Sequence, residues 1–282
     1  MKRKIILIVI FSFFLTINIL NPLSLGLNIT NCNIINKEIS INNNTLYVGG
    51  TGPNNYTKIK DAINDAPNGF TIFVYSGTYY EYIVLYKSLN LIGENKETTN
   101  ITCMDKTDVI KISANNVTIK GFTLYDAGQN FLYKTDAGIE ISNNKNNITV
   151  EENIIAKGYC GILSQDSENV TIKNNIFHTN NGPSIWFYGK SINNTIINNK
   201  ITRKINEKGG GIWLEKCSSN ISIKNNIFTN TGIFIFGNTI EHFTQEIKEN
   251  TVNNKSLFYA INQKNLQIPD NTVNLILVNC SN

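Results

Sequence analysis

Asn169-Val170-Thr171-Ile172-Lys173-Asn174-Asn175-Ile176-Phe177 is one copy of the nine-residue phrase that decides the fold. The phrase reads Asn-x-Thr-Ile-x-x-Asn-x-Ile with some drift, and its other copies begin at Asn116, Asn147, Asn193, Asn220, Asn265 and, in degenerate form, Thr244. A short β phrase that recurs at intervals of about 20–30 residues, without a helical segment between copies, is typical of a solenoid.

Each copy of the phrase has the period of a β-strand. In the quoted copy, Val170 and Ile172 point to one side and Thr171 points to the other. An asparagine ends the strand in every copy except the first, which has Phe122 at this position; these residues are Asn153, Asn175, Asn199, Asn226, Asn250 and Asn271. Asparagine tolerates the backbone of a tight bend, and its amide can bond to the same residue one coil away. The pattern predicts an internal asparagine ladder at one corner of each coil.

A second phrase lies between copies of the first and keeps step with it. Its copies are Gly138–Ile141, Gly161–Ser164, Ser184–Phe187, Gly211–Leu214, Gly232–Ile235 and Ser256–Tyr259. The two phrases together predict coils of three short strands that stack into three parallel sheets around an apolar interior. We therefore expect an all-β, three-sheet parallel solenoid.

The N-terminus has the features of an export signal. Basic residues at 2–4 precede an apolar run at 5–17, and small residues flank a cleavage site after Gly26. These features predict a signal peptide over residues 1–26 and a secreted or cell-surface location. The alternative is an uncleaved membrane anchor, but the apolar run is short for a membrane span.

The rest of the chain predicts an N-terminal extension, residues 27–45, and a single β-helix domain, residues 46–282. Near its start, Thr57 is a suitable N-cap, apolar residues follow at helical spacing, and Pro67 is a stop signal. We expect a short helix at about 57–66. A solenoid needs its first apolar cross-section covered, and this helix would cover it.

Charge and cysteine content narrow the chemistry further. The net charge of +4 is spread among lysines without a basic stripe, so nucleic-acid binding is not expected. An exported chain permits disulfides, and an odd number of cysteines leaves at least one thiol free or paired between molecules. The pairing remains open among Cys32, Cys103, Cys160, Cys217 and Cys280.

Residues 59–93, followed by the two repeat phrases, resemble the pectin lyase-like superfamily of right-handed parallel β-helix proteins. The resemblance covers roughly residues 46–278, and its N-terminal part rests on Ala62-Ile63, Thr71–Val74, Gly77–Glu81 and Leu91–Gly93. Within the superfamily, the chain most resembles the NosD-like repeat proteins, often described as carbohydrate-binding proteins and sugar hydrolases. The resemblance implies a right-handed three-sheet parallel β-helix, whereas the activity stays open because this fold carries several enzyme classes and noncatalytic surface proteins.

The resemblance also implies that the Gly-Ile phrase forms the first sheet and that ligands lie along its outer face. Alternation then directs one column outward, containing Glu140, Leu163, Trp186, Trp213, Phe234 and Phe258, with Tyr188 and Phe236 beside it. Aromatic faces at the coil spacing of about 4.8 Å suit successive sugar rings. We predict glycan binding by the aromatic members, Trp186, Tyr188, Trp213, Phe234, Phe236 and Phe258, with a polysaccharide or cell-surface glycan as the partner.

Two alternatives to a noncatalytic glycan-binding protein remain open. The aromatic column can instead be covered, by residues 27–44, a loop or another subunit, which describes a structural or adhesive oligomer. A lyase or epimerase acting on a uronate-containing glycan needs a base and, for a lyase, usually Ca²⁺. Its candidate catalytic set is Arg203, Asp136, Glu140 and Asp166, although these can also be solvated loop charges.

The NosD-like resemblance suggests a role in copper handling, but the sequence predicts no metal site. Soft-metal sites need clustered ligands, whereas His178, His242 and Met104 lie far apart in the sequence and the cysteines are scattered. Apart from Ca²⁺ in the lyase alternative, no cofactor is expected. Asn-x-Ser/Thr sequences suggest a glycoprotein, and five of them, at Asn116, Asn147, Asn169, Asn193 and Asn220, belong to the repeat phrase itself.

Overall fold

The computed structural model describes residues 44–130, 135–205, 209–216 and 220–281. The predicted signal peptide, residues 27–43 of the predicted extension, Cys32 and Cys217 lie outside the described residues. Residues 43–282 form one compact unit. Within the described part of the chain, no helix has the length and apolar character needed to cross a membrane.

The described residues form mainly short strands, with one α-helix near the start and one 3-10 helix near the end. The α-helix, α1, is Ile59–Asp65, and the 3-10 helix is Ile240–Phe243. The strands, in chain order, are β1 Thr45–Val48, β2 Thr71–Val74, β3 Gly77–Tyr80, β4 Ile83–Leu85, β5 Asn90–Gly93, β6 Thr99–Thr102, β7 Ile110–Ile112, β8 Val117–Lys120, β9 Thr123–Tyr125, β10 Ala137–Ile141, β11 Asn146–Glu151, β12 Ile154–Ala156, β13 Cys160–Gln165, β14 Glu168–Lys173, β15 Ile176–His178, β16 Ile185–Tyr188, β17 Thr195–Ile197, β18 Lys200–Thr202, β19 Ile212–Glu215, β20 Ser222–Lys224, β21 Ile227–Thr229, β22 Ile233–Phe236, β23 Glu246–Lys248, β24 Thr251–Val252, β25 Lys255–Ile261 and β26 Thr272–Val278.

Strands from successive coils pair into three sheets. The first sheet contains β4, β7, β10, β13, β16, β19 and β22. The second contains β1, β2, β5, β8, β11, β14, β17, β20 and β23, and the third contains β3, β6, β9, β12, β15, β18, β21, β24, β25 and β26. The strand pairs are parallel apart from β24 with β25. The predicted three-sheet parallel solenoid is confirmed.

The apolar interior is built from rows of equivalent residues, one from each coil. In the first sheet the row consists of buried isoleucines, Ile83, Ile110, Ile139, Ile162, Ile185, Ile212 and Ile233. Burying one such side chain contributes about 1.5–3 kcal/mol relative to leaving it exposed. The Gly-Ile phrase begins with a small residue because the coils approach closely: a Cβ on Gly161 would lie 2.3 Å from the carbonyl oxygen of Ser184.

The predicted asparagine ladder is present at the corner between the second and third sheets. Its members are the buried residues Asn153, Asn175, Asn199, Asn226 and Asn250. Each Nδ2 donates to the Oδ1 of the next member, at 3.2, 3.1, 3.0 and 3.0 Å along the row. Each Oδ1 from Asn175 onward also accepts the backbone N–H of the preceding member, which ties neighbouring coils together.

The N-terminal helix differs in detail from the prediction. α1 begins at Ile59 rather than Thr57, and Lys58 at its N-cap makes no side-chain capping bond. The carboxylate of Glu81, more than 20 residues further along, instead accepts the N–H groups of Ile59 at 2.8 Å and Lys60 at 3.1 Å. A distant carboxylate at the positive end of the helix thus replaces the expected local cap.

The C-terminal end corrects two predictions. Asn253 and Asn254 both have left-handed backbones, with φ of 49° and 64°, and form a two-residue turn that makes β25 run antiparallel to β24. Ser256–Tyr259 therefore belongs to the third sheet rather than the first. The phrase beginning at Asn265 forms no further coil, because β26 pairs only with β25 in the third sheet, and Asn271 is exposed outside the ladder.

The described cysteines are free thiols. Cys103 and Cys160 are buried, and Cys280 is partly exposed. Cys280 therefore does not tie the C-terminal coil to the body through a disulfide. Its Sγ instead lies 3.5 Å from the carbonyl oxygen of Ala260.

Candidate functional site

The outer face of the first sheet carries a row whose chemistry changes along the solenoid. Strand register aligns Val84, Lys111, Glu140, Leu163, Trp186, Trp213 and Phe234. The N-terminal part of this outer row is charged, and Lys111 Nζ lies 2.6 Å from Glu140 Oε1. Its C-terminal part is aromatic. The predicted alignment of Trp186, Trp213 and Phe234 is confirmed, whereas Phe258 lies on β25, outside this row.

The aromatic side chains of neighbouring coils contact one another. The ring centroids of Trp186 and Trp213 are 6.0 Å apart, as are those of Trp213 and Phe234, and both pairs meet edge to face. A second outer row, one residue pair further along each strand, adds Tyr188 and Phe236. The ring of Tyr188 lies 5.7 Å from Trp186, and that of Phe236 lies 5.5 Å from Trp213. We call these five rings the aromatic face.

A small buried cluster supports the N-terminal end of the aromatic face. Ala137, Cys160 and Leu163 form this cluster, which is separate from the main core, and Trp186 and Tyr188 pack against it. Burial raises the pKa of the Cys160 thiol far above its usual range, so this thiol stays protonated and unreactive. The aromatic face is thus attached to a packed base, which limits the freedom of its side chains.

Among the polar groups of the aromatic face, one has a hydrogen-bond partner and two have none within the described part of the chain. The Tyr188 hydroxyl donates to Gln165 Oε1. The indole Nε1 atoms of Trp186 and Trp213 are buried, and neither has a hydrogen-bond partner among the described residues. A buried donor without a partner costs about 1–3 kcal/mol. Because both atoms are buried, the rings present their carbon faces and edges, rather than these N–H groups, to the outside.

Three carboxylates lie near Tyr188, at the N-terminal end of the aromatic face. Burial raises the pKa of Tyr188, and the nearby charges of Asp166, Glu140 and Glu215 raise it further. All three carboxylates act in the same direction because negative charge opposes formation of the tyrosinate. The potential at this surface is accordingly shaped by acidic groups, with Lys111 paired to Glu140 at its N-terminal end.

The structure does not bring the predicted catalytic set together. Asp136 Oδ2 accepts the N–H of Asn130 at 3.0 Å, and Asp166 Oδ1 accepts the N–H of Lys190 at 2.7 Å. Glu140 is paired with Lys111, as described above. Arg203 follows β18 in the third sheet, and within the described part of the chain it forms no ion pair with any of these carboxylates. Each of the three carboxylates therefore has a structural partner.

A groove at the C-terminal end of the solenoid is a separate feature from the aromatic face. Phe258 lines a groove of about 660 Å³ at the C-terminal end, together with Glu246, Lys248 and Tyr259. Hydrogen bonds from Lys224 and then Lys248 lower the pKa of Glu246 to about 2. Sequence reasoning missed this groove because it depends on the reversal of β25. Among the described residues, no group of three or more His, Cys, Asp or Glu side chains is placed to hold a metal ion.

The family follows from the repeats that build these coils. A family model described as the right handed beta helix region matches residues 113–273, more than half of the chain. The chain belongs to the right-handed β-helix family. The matched region includes the whole asparagine ladder and all five rings of the aromatic face. The pectin lyase-like resemblance is thereby confirmed at the level of the fold.

Relatives of this β-helix chain are distant or partial. A protein named "Cell surface glycoprotein" from Methanothermus fervidus is 38% identical over 92 residues, which is 32% of this chain and 15% of that protein. The crystal structure of Escherichia coli YbhC matches with a TM-score of 0.50 and 9% identity, covering 93% of this chain and 87% of that one. Pectin methylesterase PemA from Erwinia chrysanthemi matches with a TM-score of 0.49 and 14% identity over 82% of this chain and 92% of the esterase. At such identities, the structural likeness concerns the fold alone.

Proposed function

We propose that this protein is displayed on the cell surface and binds an extended polysaccharide along its aromatic face without cleaving it. The surface location is supported by the partial relationship to the Methanothermus surface glycoprotein and by the predicted signal peptide. The observation that carries the binding proposal is the aromatic face itself: five rings on two adjacent rows of a rigid sheet, with neighbouring centroids 5.5–6.0 Å apart.

Sugar rings match this surface in shape and in polarity. A parallel sheet repeats at about 4.8 Å, so an extended chain lying across the coils meets a new side chain at each step. The apolar faces of pyranose rings can pack on the exposed parts of the aromatic rings. The apolar faces of the sugar rings would make the main contact, because the indole Nε1 atoms of Trp186 and Trp213 are buried.

Charge selects among polysaccharides. The charges of Asp166, Glu140 and Glu215 all raise the pKa of Tyr188, which favours a ligand without negative charge at this end of the aromatic face. A neutral polysaccharide, or one with amino groups, fits these surroundings better than a polymer of uronates. The alternative of a uronate lyase or epimerase has less support, because its substrate is anionic and its candidate residues are engaged elsewhere.

A subunit interface is the second candidate for the same surface. Phe234 and Phe236 are 43% and 45% exposed at the C-terminal end of the aromatic face, and neither carries a polar group. Exposed apolar clusters of this kind often mark interfaces. In that case the protein would be an adhesive or structural oligomer joined through the first sheet.

Polysaccharide titration separates these possibilities. Both tryptophans of the chain lie in the aromatic face, so tryptophan fluorescence, excited selectively over the tyrosines, reports on this surface. We expect a saturable change with a neutral or amino-sugar polysaccharide, little change with polygalacturonate, and loss of binding in Trp186→Ala. Tyr75→Ala is the matched control, because Tyr75 also contacts two aromatic rings but directly follows β2 of the second sheet.

The outcomes distinguish the candidates. Absence of a fluorescence change with every polysaccharide would overturn the binding proposal. A concentration-dependent dimer in analytical ultracentrifugation, dispersed by Phe234→Ser, would favour the interface instead. New ultraviolet absorbance from an unsaturated uronate, lost in Arg203→Ala, would favour the lyase.

A further inference from the structure

We infer that the protein carries N-linked glycans on a single row of asparagines at the corner between the first and second sheets, and that they occupy alternate coils. This inference rests on the export that the proposed function includes, but not on polysaccharide binding. The row consists of the first asparagine of each repeat phrase, Asn116, Asn147, Asn169, Asn193 and Asn220. Each starts an Asn-x-Ser/Thr acceptor sequence.

The five asparagines lie in register on the outside of the solenoid. Ile148 pairs with Val117, Asn146 with Glu168, and Thr195 with Ser222, which stacks the acceptor asparagines one above another. All five are exposed. All five also have left-handed backbones, with φ of 54° at Asn116, 56° at Asn147, 54° at Asn169, 54° at Asn193 and 68° at Asn220.

The left-handed backbone alone does not explain why every member is asparagine. The corner between the second and third sheets has an equivalent exposed row with the same conformation, φ from 54° to 58°. That row contains Glu152, Asn174, Asn198, Asn225 and Glu249. Glutamate is therefore accepted at this conformation in the same solenoid, whereas the acceptor row keeps asparagine in five coils.

Two residues after each acceptor asparagine, all five coils have a side chain with a hydroxyl group. The residues concerned point outward from the second sheet and are Thr118, Thr149, Thr171, Thr195 and Ser222. The next outward row of the same strands varies freely among Lys120, Glu151, Lys173, Ile197 and Lys224. An outward position on these strands thus has no general need for a hydroxyl. Asparagine and hydroxyl are kept together, and N-glycosylation requires that combination.

The amide groups of the row are not equally available. Asn147 Nδ2 donates to Asn116 Oδ1 at 3.1 Å, Asn220 Nδ2 donates to Asn193 Oδ1 at 3.4 Å, and Asn193 Nδ2 donates to Glu168 Oε1 at 3.3 Å. The Nδ2 groups of Asn116 and Asn169 have no such bond within the described part of the chain. These two asparagines lie two coils apart, with Asn147 between them.

Coil spacing limits how many glycans fit. Neighbouring acceptors are separated by one coil, about 4.8 Å, and alternate acceptors by about twice that distance. A hydrated oligosaccharide is wider than one coil spacing. Glycans on adjacent coils would collide, whether they are attached before or after the coils stack. Asn116 and Asn169 are the expected sites, and Asn147 is the position that their glycans would block.

The reaction requires a lipid-pyrophosphate-linked oligosaccharide as the donor. The asparagine Nδ2 attacks the anomeric carbon, the bond from that carbon to the phosphate oxygen breaks, and the lipid pyrophosphate leaves with the bonding electrons. The amide loses one proton to a base of the transferring enzyme. No oxidant or reductant takes part.

Glycopeptide mass spectrometry on the mature protein, isolated from the cells that export it, tests the inference. We expect glycans on the Asn116 and Asn169 peptides and an unmodified Asn147 peptide. A mature protein without glycans on any of the five asparagines would overturn the inference, as would glycans on adjacent asparagines of one molecule. Polysaccharide titration of the same preparation decides the binding proposal separately.

Three variants test whether the acceptor sequence and the neighbouring glycans decide which asparagines are modified. Thr171→Val keeps the β-branched shape but removes the acceptor hydroxyl, and it should abolish the glycan on Asn169. Thr202→Val, an equivalent change on the third sheet outside any acceptor sequence, should leave the pattern unchanged. In the double variant Thr118→Val/Thr171→Val, Asn147 should become glycosylated because both of its neighbours are then vacant. An unmodified Asn147 in that variant would contradict the blocking of alternate coils.

Discussion

The asparagine ladder inside the corner and the outer row of the first sheet are both built from one residue per coil. In the ladder, five consecutive coils supply the same side chain, each amide is buried, and its donors and acceptor are satisfied by neighbours. In the outer row the side chain changes from coil to coil, and two indole N–H groups have no partner among the described residues. The first row serves the stack, whereas the second is open to something outside it.

Repetition alone therefore does not indicate function. A side chain that must bond to its own copy one coil away cannot change without breaking two contacts, so the ladder stays uniform. The outer row needs only to fit the sheet and is free to take charged residues at one end and aromatic ones at the other. The less regular of the two rows carries the candidate site.

The largest effect is expected from Asn199→Ala in the ladder. Asn199 Oδ1 accepts from Asn175, and its Nδ2 donates to Ile172 and Asn226, at 2.9–3.1 Å. Removing it leaves several buried groups without partners, at about 1–3 kcal/mol each, so the free energy of unfolding should fall by about 3–5 kcal/mol. Urea denaturation followed by circular dichroism measures this loss.

The adjacent residue provides the control for the ladder variant. Asn198 is exposed and left-handed, with φ of 57°, and glycine adopts this conformation without strain. Asn198→Gly should change the free energy of unfolding by no more than about 0.5 kcal/mol. Equal losses in both variants would mean that the asparagine content of the corner, rather than the buried ladder, stabilises it.

A smaller loss of stability, with a larger loss of binding, is expected from Phe234→Ala. Phe234 is 43% exposed and contacts one aromatic ring, so unfolding should become easier by only about 1 kcal/mol. Polysaccharide binding should weaken about tenfold, because the variant removes one of the five rings that would contact the ligand. Tyr47→Ala, at 44% exposure in an aromatic cluster of the second sheet, is the control and should leave binding unchanged. Equal binding by the two variants would place the ligand elsewhere.

The charged end of the outer row should contribute still less. Lys111 and Glu140 are 2.6 Å apart, with side chains 30% and 16% exposed. Lys111→Met should reduce the free energy of unfolding by about 1 kcal/mol or less, and the difference from wild type should shrink at high salt because ions screen the pair. A salt-independent difference would point to lost packing of the lysine stem instead.

The smallest effect is a change in pH dependence at Tyr188. Its pKa is raised chiefly by burial, so the unfolded chain ionises first, near the ordinary value of about 10. The contribution of Tyr188 is therefore fully present below that value and is lost as the pH rises through the raised pKa. Tyr188→Phe should lose less stability than wild type between about pH 9 and pH 11 in urea denaturation. Parallel curves would show that Tyr188 titrates alike in both states.

The body of the solenoid could be predicted because each coil repeats the same local conditions. Val170 and Ile172 alternate with Thr171, Asn175 ends the strand, and the register of one coil fixes that of the next. The position of Trp186 beside Trp213 follows from the same register. A periodic fold converts sequence spacing directly into spatial order, so the aromatic alignment needed no tertiary information.

The ends of the solenoid were harder to predict because the pattern continues where the coil does not. Phe258 and Asn271 fit their phrases, yet the turn at Asn253-Asn254 reverses the chain before either can join its row. Both asparagines of this turn adopt the left-handed backbone that a two-residue hairpin requires, whereas Asn-Asn pairs elsewhere in the described part of the chain form corners, so the pair itself did not reveal the reversal. The cap of α1 was missed for another reason: Glu81, which supplies it, is remote in sequence.

Coil length varies while strand register does not. The coil that starts at Asn147 has 22 residues and the one that starts at Asn193 has 27, and the difference is taken up by the connections from the third sheet to the first, such as 157–159 and 203–211. Coils are therefore interchangeable units joined by tolerant connections. A gene that gained or lost one unit by recombination between its repeats would still encode a closed stack with both ends intact. The length of the aromatic face could then evolve in steps of one coil.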